Sequence, residues 1–269
     1  MTAYNRVDRA INRGLEIYAQ ESLVQFESRL ASIENLMKEV YLGVTRANAE
    51  YWQRSVICSA LTFAASLHIH QERSMAQAKR LHGAESDEWL RLKRLFNREY
   101  DSYAGYRLTY RLRNVMIHHS VECVGLHLSA QEERSSGGIV LADRYSATAR
   151  LVREQCVATD KKYLSAAIRK ELVAMDDDPD LLPLFRDALA SIHRISRDGF
   201  GILNPDLDAD LARLCDLDLL FGDRIEGRAL ARMVLLDATP PRRLSMPHTV
   251  LNPEIFLYAK EVYGLKQTS

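Results

Sequence analysis

No proline occurs before residue 137, and glycine is sparse over the same span. Proline removes a backbone donor and glycine costs backbone entropy in a helix, so their scarcity leaves long stretches free to be helical. From Ala3 to about Leu42, apolar side chains recur at helical spacing: Leu15, Tyr18, Leu23, Phe26, Leu30, Ile33, Met37 and Tyr41. Gly43 is the natural stop. A second pattern runs from about Asn48 to Leu81 through Trp52, Val56, Leu61, Phe63 and Leu67. Gly83 breaks it. Ser86 then stands as an N-cap, with Asp87 and Glu88 where the helix dipole favours acids. The third pattern, Glu88 to about His119, carries Leu90, Leu95, Phe96, Tyr100, Tyr103, Tyr106 and Tyr110. Three helices of this length suit an antiparallel bundle. A fourth helix is expected at about Ser120–Ala130.

The texture changes at QEERSSGG, residues 131–138, a loop by composition. IVLAD at 139–143 reads as a short strand. Thr159 and Asp160 are candidate caps for a helix through Tyr163, Ile168 and Leu172. Asp178 and Pro179 offer a cap and an early proline for a helix to about Ser196. Asn204-Pro205 and Asn252-Pro253 repeat that device, and Gly264 would end the last helix. ALARMVLLDAT at 229–239 reads either as a strand or as a buried helical turn. The expected fold is mainly α. An antiparallel helical bundle at 1–134 precedes a mostly helical region at 139–269 with at most a few short strands.

With 47% hydrophobic residues in 269, the chain can bury a core, and its formal net charge is zero. It is no polycation, so nucleic acid would have to meet a local basic surface. Residues 70–115 net +4, and residues 174–225 net −7. Cys58, Cys123, Cys156 and Cys215 are scattered without a C-x-x-C pair, which argues against a disulfide framework or a zinc knuckle. The N-terminus is mixed and charged, and no apolar run approaches the ~18 residues needed to span a bilayer. These features point to a soluble, cytoplasmic protein with no membrane partner.

The richest stretch for chemistry is Tyr106–Ser120, YRLTYRLRNVMIHHS. Residues three and four apart on a helix share a face, so Tyr103, Tyr106, Tyr110 and Arg113 or Asn114 make one stripe. Arg107, Arg111 and Asn114 make its neighbour. Arginine grips phosphate, tyrosine can stack an unpaired base, and histidine moves protons near neutral pH. Cleaving RNA without a metal needs a base for the ribose 2′-hydroxyl, a cation for the phosphorane and an acid for the leaving oxygen. No acidic cluster adjoins the stretch to hold magnesium, so no cofactor is expected.

The run RNVMIH, Arg113-Asn114-Val115-Met116-Ile117-His118, resembles the signature of the HEPN superfamily. That signature is an arginine, four to six residues, then a histidine, often with a polar residue after the arginine. The long helices before it and the YR-x-x-x-R-L-R-N approach strengthen the resemblance over roughly residues 1–130. The resemblance implies a helical, metal-independent endoribonuclease, usually a homodimer in which two motifs build one site. It makes Arg113, Asn114 and His118 the catalytic set. Tyr106, Arg107, Tyr110, Arg111 and His119 are the candidate RNA contacts. Such domains are often toxins or antiviral defence effectors, which adds a neutralising or regulatory protein to the expected partners. The alternative is a non-catalytic interaction or RNA-binding module on the same scaffold. A third reading makes Tyr110 the acceptor of a nucleotide modification.

Geometry qualifies the motif. Five residues along a helix turn by ~500°, which leaves Arg113 and His118 about 140° apart. The helix must distort, Arg113 must reach round, or a second copy must supply the missing half. Plainer roles exist for each residue: a polar helix end for the two histidines, core packing for the tyrosines and surface charge for Arg107 and Arg111. The same loose pattern also occurs at Arg186–His193, within the acidic segment, and at Arg242 or Arg243 with His248. His68 and His70 lie two apart, on different helix faces, which disfavours a shared metal. Ser135-Ser136-Gly137-Gly138 lacks the lysine of a phosphate loop. Asp176-Asp177-Asp178 lacks the alternating ligands of a calcium loop.

Overall fold

A computed structural model describes residues 2–12, 14–40, 44–134, 140–221, 229–231, 234–235, 244–245 and 248–267. The fold is mainly α. The chain divides into two compact units, Leu15–Leu203 and the two terminal segments Met1–Gly14 with Asn204–Ser269.

The larger unit begins with α2 (Leu15–Val40) and α3 (Arg46–His82), which pack along each other. The Thr45 hydroxyl caps α3 by accepting from the Asn48 N–H at 3.2 Å. Gly83 closes it at φ 95°, where a side chain would be strained. The Ser86 hydroxyl accepts from the Trp89 N–H at 3.2 Å and starts α4 (Asp87–Ser102), as the sequence suggests. Gly43 lies outside the described residues.

The third helical pattern is two helices. The backbone turns extended at Tyr103 (φ −121°, ψ 115°), and α5 spans Ala104–His118. Tyr103 offers no side-chain cap. The carboxylate of Asp187 serves instead, accepting from the Gly105 N–H at 3.0 Å. Gly105 makes this approach possible, since a Cβ there would stand 2.5 Å from Asp187 Oδ2 and 2.7 Å from the Leu184 carbonyl. A helix break fixed by a residue 82 positions away leaves no periodic signal.

The fourth helix expected at 120–130 does not form. A 3-10 turn at Val121–Cys123 leads into β1 (Val124–Arg134), which pairs antiparallel with β2 (Val140–Leu151). The sequence GLHLS alternates, and Ala147, Ala149 and Leu151 are buried on every second position of β2. Period two therefore governs here. Residues 131–134, expected in a loop, belong to β1, while 135–138 lie outside the described residues. Of the strand expected at 139–143, residues 140–143 begin the longer β2, and residue 139 lies outside the described residues. Side chains from the helices occupy backbone groups of the hairpin. Gln53 donates to the Val124 carbonyl at 2.6 Å and accepts from the Leu126 N–H at 2.7 Å, and Glu34 accepts from the Ala147 N–H at 3.1 Å.

After the hairpin come α6 (Arg153–Ala158), α7 (Ala166–Val173) and α8 (Leu181–Leu203). Thr159 ends α6, and α7 is capped by Ser165, so the expected Thr159–Asp160 start falls in the turn between them. Asp180 accepts from the Leu182 N–H at 2.9 Å at the start of α8. Asp178, the expected cap, accepts instead from the Arg153 backbone and guanidinium. The core gathers α2, α3 and α8 around Phe185, whose ring centroid lies 4.8 Å from Phe26 and 4.5 Å from Phe63. Buried Glu99 ties α4 to α8 through Arg194 at 2.8 Å. The expected boundary at 134–139 thus falls between two paired strands, and α8 packs against α2, α3, α4 and α5.

In the second unit, α1 (Thr2–Asn12) is separate from α2, which splits the single helix expected from Ala3 to Leu42. It packs with α9 (Leu207–Phe221) and α10 (Pro253–Gln267) around Val7, Leu211, Leu214 and Phe256. Arg6 lies against the buried Asp210 carboxylate at 2.5 Å. The Asn252 side chain accepts from the Glu254 N–H at 3.0 Å with Pro253 as the first helical residue. The helix runs through Gly264, which does not stop it. Ala229–Ala231 (β3) and Val234–Leu235 (β4) are strands within the ambiguous stretch. They pair antiparallel with His248–Val250 (β6) and Leu244–Ser245 (β5), respectively. The rest of 229–239 lies outside the described residues. No helix among the described residues is long and apolar enough to cross a membrane.

Candidate active site at the end of the fifth helix

Helix α5 is continuous to His118, so the helical divergence of Arg113 and His118 stands. Its buried face is Tyr106, Leu108, Thr109, Leu112, Val115 and Met116. Apolar residues at three- and four-residue steps draw that face onto α3 and α8. The motif residues occupy the other sides. Arg113 and Asn114 are half-buried, and the Arg113 guanidinium donates to Asn114 Oδ1 at 3.0 Å. This contact joins the two adjacent motif side chains. His118, Ile117 and His119 are exposed. His119 is the C-cap, its N–H bonded to the Val115 carbonyl at 2.9 Å.

The four residues upstream are bound up inside the chain. Tyr106 is 1% exposed, so no base can stack on it, and burial raises its hydroxyl pKa. Tyr110 stacks on His68 at 3.9 Å, and its carbonyl is 2.7 Å from His68 Nε2. Burial raises the Tyr110 pKa and lowers that of His68. Arg107 makes a bidentate contact with Glu171 of α7 at 2.9 Å and donates to the Tyr100 carbonyl at 2.9 Å. Arg111 donates to the Tyr100 hydroxyl at 2.7 Å and sits over that ring. A tyrosine stripe at helical spacing packs, and an arginine beside a glutamate pairs.

His68 and His70 are both buried and reach different partners, His70 Nε2 lying 3.1 Å from Ser196 Oγ. No group of three His, Cys, Asp or Glu side chains suited to a metal occurs among the described residues. Arg186 of the competing motif pairs with Glu27 at 2.8 Å.

Two further residues join the site. The His118 ring lies flat against Tyr163, with centroids 4.9 Å apart and planes 9° from parallel. The Lys162 ammonium is 4.7 Å from the centre of the same tyrosine ring. The Tyr163 side chain first, and then the charge of Asp160, raise the Lys162 pKa. Arg169 fixes this turn by donating to the carbonyls of Val157 at 2.7 Å, Leu164 at 3.0 Å and Thr159. The Arg107–Glu171 pair joins the following helix to α5. Tyr163 lies 45 residues from His118 in sequence, inside what reads as a helix. The Lys161-Lys162-Tyr163 cluster was its only trace.

No protein-family model matches the chain, and searches of curated proteins and of solved structures return no match.

Proposed function

We propose that this chain is a metal-independent endoribonuclease of the HEPN type, with a composite site formed by two copies. The observation that carries the reading is the arrangement on α5. An exposed histidine and a half-buried arginine bonded to Asn114 stand on diverging sides of one continuous helix. A proton carrier and a phosphate cation on opposed faces suit a site completed by a second copy. In the reaction, one His118 accepts the ribose 2′-hydroxyl proton as that oxygen bonds to phosphorus. Arg113 stabilises the negative charge of the phosphorane. The P–O5′ bond breaks as a second imidazolium, from the other copy or from His119, protonates the leaving oxygen. The products are a 2′,3′-cyclic phosphate and a 5′-hydroxyl. A toxin or defence role, with a restraining protein partner, follows from the family resemblance.

The test is incubation of purified protein with single-stranded RNA in EDTA. Wild type should cleave, and Arg113→Ala and His118→Ala should each lose roughly 100-fold or more. Mixing the two inactive variants should restore part of the activity, because a mixed dimer holds one intact pairing. Equal cleavage by all three proteins, or none by wild type, defeats the reading.

The non-catalytic interaction module has its own support. Ile117 and Val121 are exposed beside the histidines, at 48% and 45%, and four of the candidate RNA contacts already serve the fold. Binding of a partner without RNA cleavage would favour it.

A further inference from the structure

We infer that Tyr163 and Lys162 complete each His118 half-site within the same chain, Tyr163 as a positioning residue and Lys162 as a contact for an RNA phosphate. The inference rests on the endoribonuclease reading and adds residues that the α5 motif does not contain. His118 is the last residue of its helix and is exposed, so its backbone alone leaves the imidazole free to change rotamer. A near-parallel ring at 4.9 Å restricts it to one plane. The platform is itself held. Arg169 spans three carbonyls around the turn, the Tyr163 N–H is bonded to the Asp160 carbonyl at 3.0 Å, and Lys162 N–H to Asp160 Oδ1 at 3.1 Å. Restricting a proton carrier before substrate arrives raises the fraction of productive encounters.

Lys162 supplies a cation on that platform. Its ammonium is exposed, with Asp160 Oδ2 3.8 Å away as its ion-pair partner. A phosphate of single-stranded RNA lying across the tyrosine would compete with that surface carboxylate, whose hold on the lysine is weak. The turn therefore recognises a flexible polyanion through its backbone, with no demand on base identity.

The experiment uses the full chain as wild type, Tyr163→Leu, Tyr163→Phe and Lys162→Gln. Proton–carbon NMR of the histidine rings reports the stack directly. His118 should show an upfield-shifted ring resonance in wild type and Tyr163→Phe, lost in Tyr163→Leu. With RNA in EDTA, Tyr163→Leu should lower kcat roughly 10- to 100-fold at little changed KM, and Tyr163→Phe should recover it. Lys162→Gln should raise KM with kcat retained. It should also reduce the salt slope for binding a 2′-O-methyl oligonucleotide, which cannot be cleaved, by about 0.7. An unshifted His118 resonance, wild-type kcat in Tyr163→Leu, or an unchanged salt slope in Lys162→Gln overturns the inference. Absence of cleavage by wild type defeats the nuclease reading instead, while the ring shift and the oligonucleotide slope still decide the half-site.

Discussion

Acid should destabilise the Leu15–Leu203 unit, and His70 is the residue through which the effect can be isolated. The ring is 3% exposed, sits edge-on to Phe96 at 5.7 Å, and has one polar contact, Ser196 Oγ at 3.1 Å from Nε2. Its Nδ1 is buried without a hydrogen-bond partner. A charge placed there would be poorly solvated, and burial, assisted by nearby His193, lowers the pKa from 6.5 to about 4. Between those values the unfolded chain binds a proton that the folded chain refuses. Stability therefore rises with pH in this window. The contribution is whole above pH 6.5 and is lost as pH falls through 6.5 toward 4. A depression of this size corresponds to roughly 3 kcal/mol. Both tryptophans, Trp52 and Trp89, lie in this unit, so their fluorescence during urea unfolding reports it. His70→Phe removes the titrating ring and its unpartnered nitrogen. Between pH 7.5 and pH 4.5, wild type should lose about 2–3 kcal/mol more than the variant. His68, whose pKa burial also lowers, contributes with the same sign to both proteins and cancels in the difference. Parallel stability–pH curves would refute the assignment.

Two further outcomes follow from α5. Gly105→Ala places a Cβ 2.5 Å from Asp187 Oδ2 and 2.7 Å from a backbone carbonyl, so it should cost about 1–3 kcal/mol, read as a lowered Tm; an unchanged Tm would contradict the close packing of α5 on α8. Arg107→Ala should cost about 1–2 kcal/mol by unpairing Glu171, yet leave the salt dependence of RNA binding unaltered; a slope reduced by about 0.7 would make Arg107 a phosphate contact.

The long helices were legible because their signal is local. Trp52, Val56, Phe63 and Leu67 repeat at helical spacing, and Ser86 with Asp87 and Glu88 marks a start. What escaped depended on distant partners. Asp187 splits α4 from α5 by capping the second helix from outside. Small alanines at 147 and 149 mark the buried face of β2 too faintly to extend the strand expected at 139–143. At the site, sequence located Arg113 beside Asn114 and placed the exposed His118 and His119, since adjacency within one helix is a local property. It could not separate arginines with internal partners from those without, because Glu171 meets Arg107 only through the tertiary fold. Tyr163 was hidden for the same reason.

The hairpin is covered along part of its outer edges by side chains of the helices. A two-stranded sheet ordinarily offers both outer edges for extension by another chain. Here Gln53 occupies the carbonyl of Val124 and the N–H of Leu126, and Glu34 takes the N–H of Ala147. At those positions a visiting strand would have to displace side chains already bonded. Side chains of α2 and α3 thus stand in for a third strand at those three positions and tie the hairpin to the helices that precede it.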